Sequence, residues 1–520
     1  MDFDLLEGPS ETFPHVSPNA LARLAATAFK RLSFTFTESH VKHLIAIVGD
    51  PASSENDALV ASYMLENARI ASRGTLPLCQ DTGTAQVFAW KGEGIATGAD
   101  DVEYLQKGAA RAWKESPLRF STAVPEGFFS ERDPGDNSPA LVALSTSPFP
   151  SRYSFLFCAK GGGSSNKTSL VQATKALLEP ASFSSFLAKA IPSLGTAACP
   201  PYTIAVVVGG ISPEQNLMVS KLASMGYFDQ RLTGYDYRVM GSEPSRDEGL
   251  EAEVMAIARD SGLGAQFGGS ALAIGARVLR LPRHGASCPV SVAVSCAAHR
   301  NLHAYIDETG VWLEKTVSDP LSVEGFAEAA LVSSRAKGDP IKIDTTEGVE
   351  AARSKLADLP PGTQVLLSGP LVVARDAAHA RWRALLKRGE SLPPYATAYP
   401  IMYAGPAETP PGMPIGSFGP TTAGRMDEYA EELMSRGCSL VTVAKGNRGK
   451  SWTEACARHG AVYLGTPGGI AALIAERHVT DAKVLDYPEL GMEAVRLVTV
   501  RDMPAFVITN GRGRDFFDDV

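Results

Sequence analysis

Short apolar runs that stop at glycine set the tightest limit on what this chain can fold into. Tyr153–Cys158 and Tyr202–Val208 read as buried strands, and each runs into a glycine cluster, Gly161-Gly162-Gly163 and Gly209-Gly210. No apolar run approaches the roughly 18–20 residues that a membrane-spanning helix needs. With 44% apolar and 20% charged residues, the 520-residue chain is too apolar for a disordered one and long enough for about two to four domains. A net charge of −8, from 49 Lys+Arg against 57 Asp+Glu, argues against a general nucleic-acid binder, which needs clustered cations. The acidic start Met1-Asp2-Phe3-Asp4 lacks the pattern of a secretory signal. The expectation is a soluble, cytoplasmic protein with neither nucleic-acid nor membrane partners.

The order of segments suggests two halves. Leu21, Leu24, Ala25, Phe29 and Leu32 share a helical face, Val41–Val48 is a second apolar segment, and Ser54-Glu55-Asn56-Asp57 reads as a cap before a helix over Ala58–Ile70. Glu131–Pro139 is turn-rich and reads as an exposed loop. From Ser333 the texture turns polar, small and proline-terminated, as in a linker. Beyond it come strand-like runs at Val365–Leu367, Leu371–Ala374, Ile401–Tyr403, Leu440–Ala444, Val462–Leu464, Val495–Val500 and Ala505–Thr509. The reading is an α+β N-terminal domain over 1–332, a linker over 333–346 and an α/β C-terminal domain over 347–520.

Two segments resemble phosphate cradles. Ala444–Ser451 (AKGNRGKS) follows a strand-like run and precedes a helical one, the order in which backbone amides and a helix N-terminus face an anion. Its first glycine is replaced by Ala444, and no acidic Mg²⁺ partner ends a nearby strand, which argues against a P-loop NTPase. Gly161–Thr168 (GGGSSNKT) fails at Asn166. Both still present amides suited to an anion, a dicarboxylate as much as a phosphate.

The seven cysteines are odd in number, widely spaced and free of Cys-x-x-Cys pairs, so neither a disulfide framework nor a zinc ribbon is expected. Cys79, in LPLCQDTGT, and Cys199, in ACPPY, each sit at a turn rather than inside a periodic apolar run. That placement favours ligation over core packing. His284, between Arg283 and Gly285, suits a polar pocket.

The chain resembles the class I, iron–sulfur-dependent fumarate hydratases along nearly its whole length. The stretches that carry the resemblance are LPLCQDTGTA at Leu76–Ala85, AKGGGSSNKT at Ala159–Thr168, GTAACPPY at Gly195–Tyr202 and RLPRHGASCPV with VSC at Arg280–Cys296. They continue with ARDAAH at Ala374–His379, SFGPTTAGRMD at Ser417–Asp427, AKGNR at Ala444–Arg448 and YPELGMEA at Tyr487–Ala494. The resemblance implies a [4Fe–4S] cluster held by Cys79, Cys199 and Cys296, with one iron left open as a Lewis acid. Cys288 lies in a matching motif without being a ligand. By the same carry-over Arg119, Arg375, Arg425 and Lys445 hold the substrate carboxylates, helped by Gln80 and the backbone at Gly163. Taken singly, each arginine would read as a solvated surface charge.

The implied reaction is the reversible trans addition of water to fumarate, giving (S)-malate. Thr421 is the implied proton-abstracting residue, with Asp81 and His284 as the remaining acid–base groups. The resemblance also implies a swivelling β/α C-terminal domain, an active site in the cleft between the domains, and a homodimer. L-tartrate dehydratases and mesaconate hydratases share the pattern. Ser270–Gly275, Thr203 and Ala297-Ala298-His299 depart from it. If these residues line the pocket, their small or apolar character would suit a methylated substrate such as mesaconate. A non-catalytic iron sensor would have no need of Asp81, His284, Thr421 and Lys445 together.

Overall fold

The computed structural model describes residues 1–334 and 340–518. Its architecture is mixed α/β, with three main sheets, and is compatible with two domains. The first sheet has six strands in the order Phe3–Glu7, Gly310–Glu314, Asn301–Asp307, Tyr153–Lys160, Thr84–Gly92 and Leu141–Ser147. Helix Pro18–Phe34 lays the expected Leu21, Leu24, Ala25, Phe29 and Leu32 face on it, all buried. The second sheet has Tyr202–Gly210 at its centre, buried at every position and flanked by Cys288–Ser295 and Ala273–Arg283. Apolar clusters on both faces explain why that strand is an unbroken Val/Ile run rather than an alternating one.

The third sheet holds seven strands, all between Ile341 and Thr509. Ile341–Asp344, Gln364–Val373, Ile401–Met402, Val441–Ala444 and Val462–Gly465 run parallel. The long strand Val495–Thr509 pairs antiparallel with both Val462–Gly465 and Gln364–Val373, so the sheet closes on itself.

Several local expectations meet the structure with differences. The cap at Ser54 is a capping box with Asp57, opening helix Glu55–Ala71. Asp57 does more than cap: its carboxylate also accepts from the amides of Ala265 and Ser270, tying that loop to the helix start. The stretch read as an exposed loop, Glu131–Pro139, begins within the exposed strand Ser130–Arg132, which is hairpinned on Val124–Gly127. Within the 333–346 stretch read as a linker, 335–339 lie outside the described residues, while Ile341–Asp344 already forms the edge of the closed sheet, with Ile343 buried. One apolar cluster joins helices Glu38–Gly49 and Glu55–Ala71 to the closed sheet, so the two halves share a core.

Glu314, at the end of its strand and 7% exposed, accepts a 2.9 Å hydrogen bond from the His303 amide. Burial pushes its carboxyl up to about 7, against the opposing pull of that amide and of the N-terminal ammonium. The folded acid therefore binds its proton more tightly than the unfolded one. Stability from this group is lost as pH rises from the unfolded value, about 4.3, through about 7. Glu314→Gln keeps an acceptor oxygen without the charge. It should gain about 1–3 kcal/mol over wild type at pH 8 and little at pH 4, read by urea melts at both values.

Candidate active site

Four mutually parallel strands of the closed sheet deliver residues beyond their carboxyl ends into one cavity of about 580 Å³. Arg375 follows Gln364–Val373, Gly405 follows Ile401–Met402, Lys445 follows Val441–Ala444 and Gly469 follows Val462–Gly465. Facing them from the N-terminal half are the loops at Cys79–Asp81, Gly161–Lys167, Ala197–Cys199 and Cys296–Arg300. Of the twelve residues expected at the site, all but His284 line this cavity.

Hydrogen bonds across the two halves fix the thiol-bearing loops. Buried Asn67 donates to the Leu78 carbonyl (2.9 Å) and accepts from the Ala472 amide (2.8 Å), anchoring the Cys79 loop at both ends of the contact. Gln80 donates to the Pro420 carbonyl at 2.9 Å. Cys199 has a left-handed backbone, φ 62°, and its carbonyl accepts from the Ala297 amide at 3.0 Å, linking its loop to that of Cys296. Lys445 Nζ donates to Cys199 Sγ at 2.7 Å. Burial pushes the Cys199 thiol up to about 11, with Lys445 pulling against it. All seven cysteines are free. Among the described residues no three His, Cys, Asp or Glu side chains stand close enough to hold a single metal ion, and Cys79, Cys199 and Cys296 all line the cavity.

Asp81 is clamped in its ionised form. Burial raises its carboxyl, but Arg119 at 2.7 Å, Arg300, the Gly162 amide at 2.9 Å and Lys445 outweigh this and hold it well below the usual carboxylate range. The other guanidiniums are also pre-positioned. Arg119 donates to the Gly405 carbonyl at 3.2 Å, and Arg375 pairs with Glu493 and Asp376, both at 3.1 Å. Arg425 reaches Asp376 at 3.3 Å and donates to Thr421 Oγ1. Thr421 is fixed by its amide on the Tyr403 carbonyl (2.7 Å) and by the Lys445 amide on its own carbonyl (3.2 Å). A Cβ on Gly163 would stand 3.8 Å from Lys445 Nζ, so its backbone borders the same space.

His284 lies elsewhere. It occupies the exposed turn between strands Ala273–Arg283 and Cys288–Ser295, where Arg283 donates to the carbonyls of His284, Gly285 and Ser287. The apolar wall expected from the departing residues is not there either. Of Thr203, Ser270–Gly275 and Ala297–His299, only Ala298 borders the cavity. Thr203 is a buried strand residue, Ser270 and Ala271 are held by Asp57, and His299 lines a second cavity beside His43 and His303.

The phosphate-cradle reading of Ala444–Ser451 also fails on geometry. The Gly449 amide that would meet an anion donates instead to Asp427 at 2.8 Å. The same carboxylate pairs at 2.6 Å with Arg448, whose side chain is wholly buried over the Trp452 ring.

Three basic residues of the cavity were missed in the sequence, among them the half-buried Lys167. Lys160, which precedes Gly161-Gly162-Gly163, and Arg300, four positions after Cys296, both line the cavity and are buried. Lys160 and Lys167 stand inside the AKGGGSSNKT stretch, but nothing local sets them or Arg300 apart from solvated bases.

Two family models cover the chain, Fumarate hydratase (Fumerase) over 22–305 and Fumarase C-terminus over 310–520. Over its full length the chain is 44% identical to the anaerobic class I fumarate hydratase of Escherichia coli K12, spanning 92% of that protein. It is 45% identical to fumarate hydratase 2 of Leishmania major over 96% of this chain and 87% of the relative. It is 43% identical to the aerobic class I fumarate hydratase of E. coli K12, over 97% and 91% of the two chains.

Proposed function

The chain belongs to the class I fumarate hydratase family of iron–sulfur-dependent hydro-lyases, and on that premise we propose that it hydrates fumarate reversibly to (S)-malate with a [4Fe–4S] cluster on Cys79, Cys199 and Cys296. The observation that carries this reading is one cavity lined by those three thiols together with Arg119, Arg375, Arg425 and Lys445. The donor set fits such a group: the three thiols are free, come from separate loops and line one cavity, and thiolates are the ligands an iron–sulfur core takes. When bound, the cluster supplies a Lewis-acidic iron that polarises the hydroxyl entering or leaving the substrate.

The chain's own residues do the rest. Three thiolates on a 2+ core leave about one negative charge and the substrate adds two, so the pocket must be cationic. Arg119, Arg375 and Arg425 offer planar forks to the carboxylates, while Lys445, Gln80 and the Gly163 backbone complete the binding. Removal of the malate proton α to a carboxylate builds a dianionic aci-carboxylate, which these fixed cations stabilise. Thr421 Oγ1 takes that proton as the alkoxide left once its own proton has passed to solvent, a form that the Arg425 guanidinium bonded to it favours. Asp81, held ionised, orients Arg119. His284 lies outside the cavity of its own chain and receives no role within one chain.

The same reading sets domains at 1–332 and 347–520 with the cavity in the cleft between them, the second of the swivelling β/α type. It also takes the enzyme as a homodimer of a reducing, cytoplasmic compartment. The test is kcat/KM for fumarate, mesaconate and L-tartrate with anaerobically reconstituted protein. Of the residues that depart from the family pattern only Ala298 borders the cavity, so they reserve no place for a methyl group and fumarate should lead mesaconate by about tenfold or more. A preference for mesaconate or tartrate would overturn the substrate. Bound iron and sulfide with no turnover of any of the three would point to a sensor.

A further inference from the structure

Arg300 and Lys160 are cavity cations that make no ion pair with a carboxylate among the described residues, although the Arg300 charge helps hold Asp81 ionised. They are 5% and 7% exposed, and among the described residues neither is paired with a carboxylate, whereas Arg119, Arg375 and Arg425 each are. Lys160 Nζ donates only to Ser224 Oγ, at 3.1 Å. Arg300 is barer still: its Nε and Nη1 are buried without any hydrogen-bond partner. A buried, unpaired guanidinium destabilises a fold unless an anion comes to it.

The position of Arg300 indicates which anion. Its carbonyl accepts from the Ala159 amide at 3.1 Å, which sets the residue beside the end of strand Tyr153–Lys160. A Cβ on Gly161 would stand 3.5 Å from Arg300 Nη2 and 3.0 Å from Asp81 Oδ2, so glycine there lets the guanidinium and the Asp81 loop approach. Arg300 closes the cavity loop that begins at Cys296, and Lys160 ends strand Tyr153–Lys160 just before the cavity segment Gly161–Lys167. These cations therefore stand on the thiol-bearing half of the cavity, whereas Arg375, Arg425 and Lys445 follow the strands of the closed sheet.

We propose that Arg300, assisted by Lys160, is a positioning residue whose unpartnered N–H groups offset the negative charge of the thiolate-held cluster, leaving the arginines of the closed sheet for the dianionic substrate. This rests on the iron–sulfur reading above. Hydrogen bonds and positive charge next to cluster sulfur favour the reduced state and retention of the core.

Arg300→Met and Arg300→Lys, reconstituted anaerobically beside wild type, test it through iron and sulfide content, midpoint potential, loss of visible absorbance in air and melting of the cluster-free protein. In Arg300→Met the cluster should be lost in air roughly tenfold faster, with a more negative midpoint potential. Arg300→Lys should recover most of both. The cluster-free Met variant should melt at or above wild type, because an unmatched buried charge has been removed. A Met variant that melts well below wild type without its cluster would make Arg300 a residue of the fold and overturn the proposal. So would one that holds its cluster as wild type does at an unchanged potential. If wild type itself takes up neither iron nor sulfide, the iron–sulfur reading falls first and this proposal with it.

Discussion

Thr421→Ala is expected to lower kcat for fumarate hydration and malate dehydration by about 10²–10⁴-fold, the usual loss for a positioned acid–base group. Iron, sulfide and visible absorbance should stay at the wild-type level. A neutral hydroxyl is a poor base unless its surroundings favour the alkoxide, and the Arg425 guanidinium acts in that direction. Thr421 Oγ1 accepts from Arg425, which leaves the hydroxyl's own proton free and puts a cation against the oxygen. The backbone cannot drift, since the Thr421 amide and carbonyl are bonded to Tyr403 and Lys445. Because Arg119 and Arg375 keep their own partners, KM should change less than kcat. Thr421→Ser retains the oxygen and should recover much of the rate. Near-normal turnover in Thr421→Ala would remove Thr421 from the proton transfer.

The residues just discussed also mark where the sequence is readable. Arg375 and Lys445 sit in motifs directly after apolar runs that read as strands, and Thr421 and Arg425 join them in one cavity from just before and within the short helix Ala423–Tyr429. Buried parallel strands announce themselves as short apolar runs because both faces are covered. Continuity is harder to read. The runs at Val365–Leu367 and Leu371–Ala374 belong to one strand, interrupted in sequence by Ser368-Gly369-Pro370; Gly369, at φ 114°, marks a register shift rather than an end. Leu141–Ser147 went unread for the opposite reason, being a largely exposed edge strand without a buried run. The hardest residues were Arg300 and Lys160. Whether a basic side chain is solvated or buried depends on what packs across from it, and no local pattern encodes that. His284 shows the converse: a residue with suggestive neighbours, held in an exposed turn.

Gly468→Ala should cost the cluster about 5- to 160-fold in retention, the equivalent of a 1–3 kcal/mol overpacking penalty, and activity with it. Gly468 presses on Cys199: a Cβ there would overlap Cys199 Sγ and stand 3.0 Å from Lys445 Cδ. The Gly468 backbone has no room to retreat. Its amide donates to Gln266 Oε1 at 2.7 Å, and its carbonyl accepts from Gln266 Nε2 at 3.0 Å. That same Nε2 also donates to the Pro200 carbonyl at 3.2 Å, so one buried glutamine ties the Gly468 loop to the residue after Cys199. With both backbones held, the cheapest relief is rotation of Cys199 χ1, which carries Sγ away from its place and breaks its bond to Lys445. The cluster-free variant should therefore melt close to wild type, while iron per chain after reconstitution falls and the remaining absorbance bleaches quickly in air. Full iron content in Gly468→Ala would mean that the Cys199 thiolate is not needed where this cavity holds it.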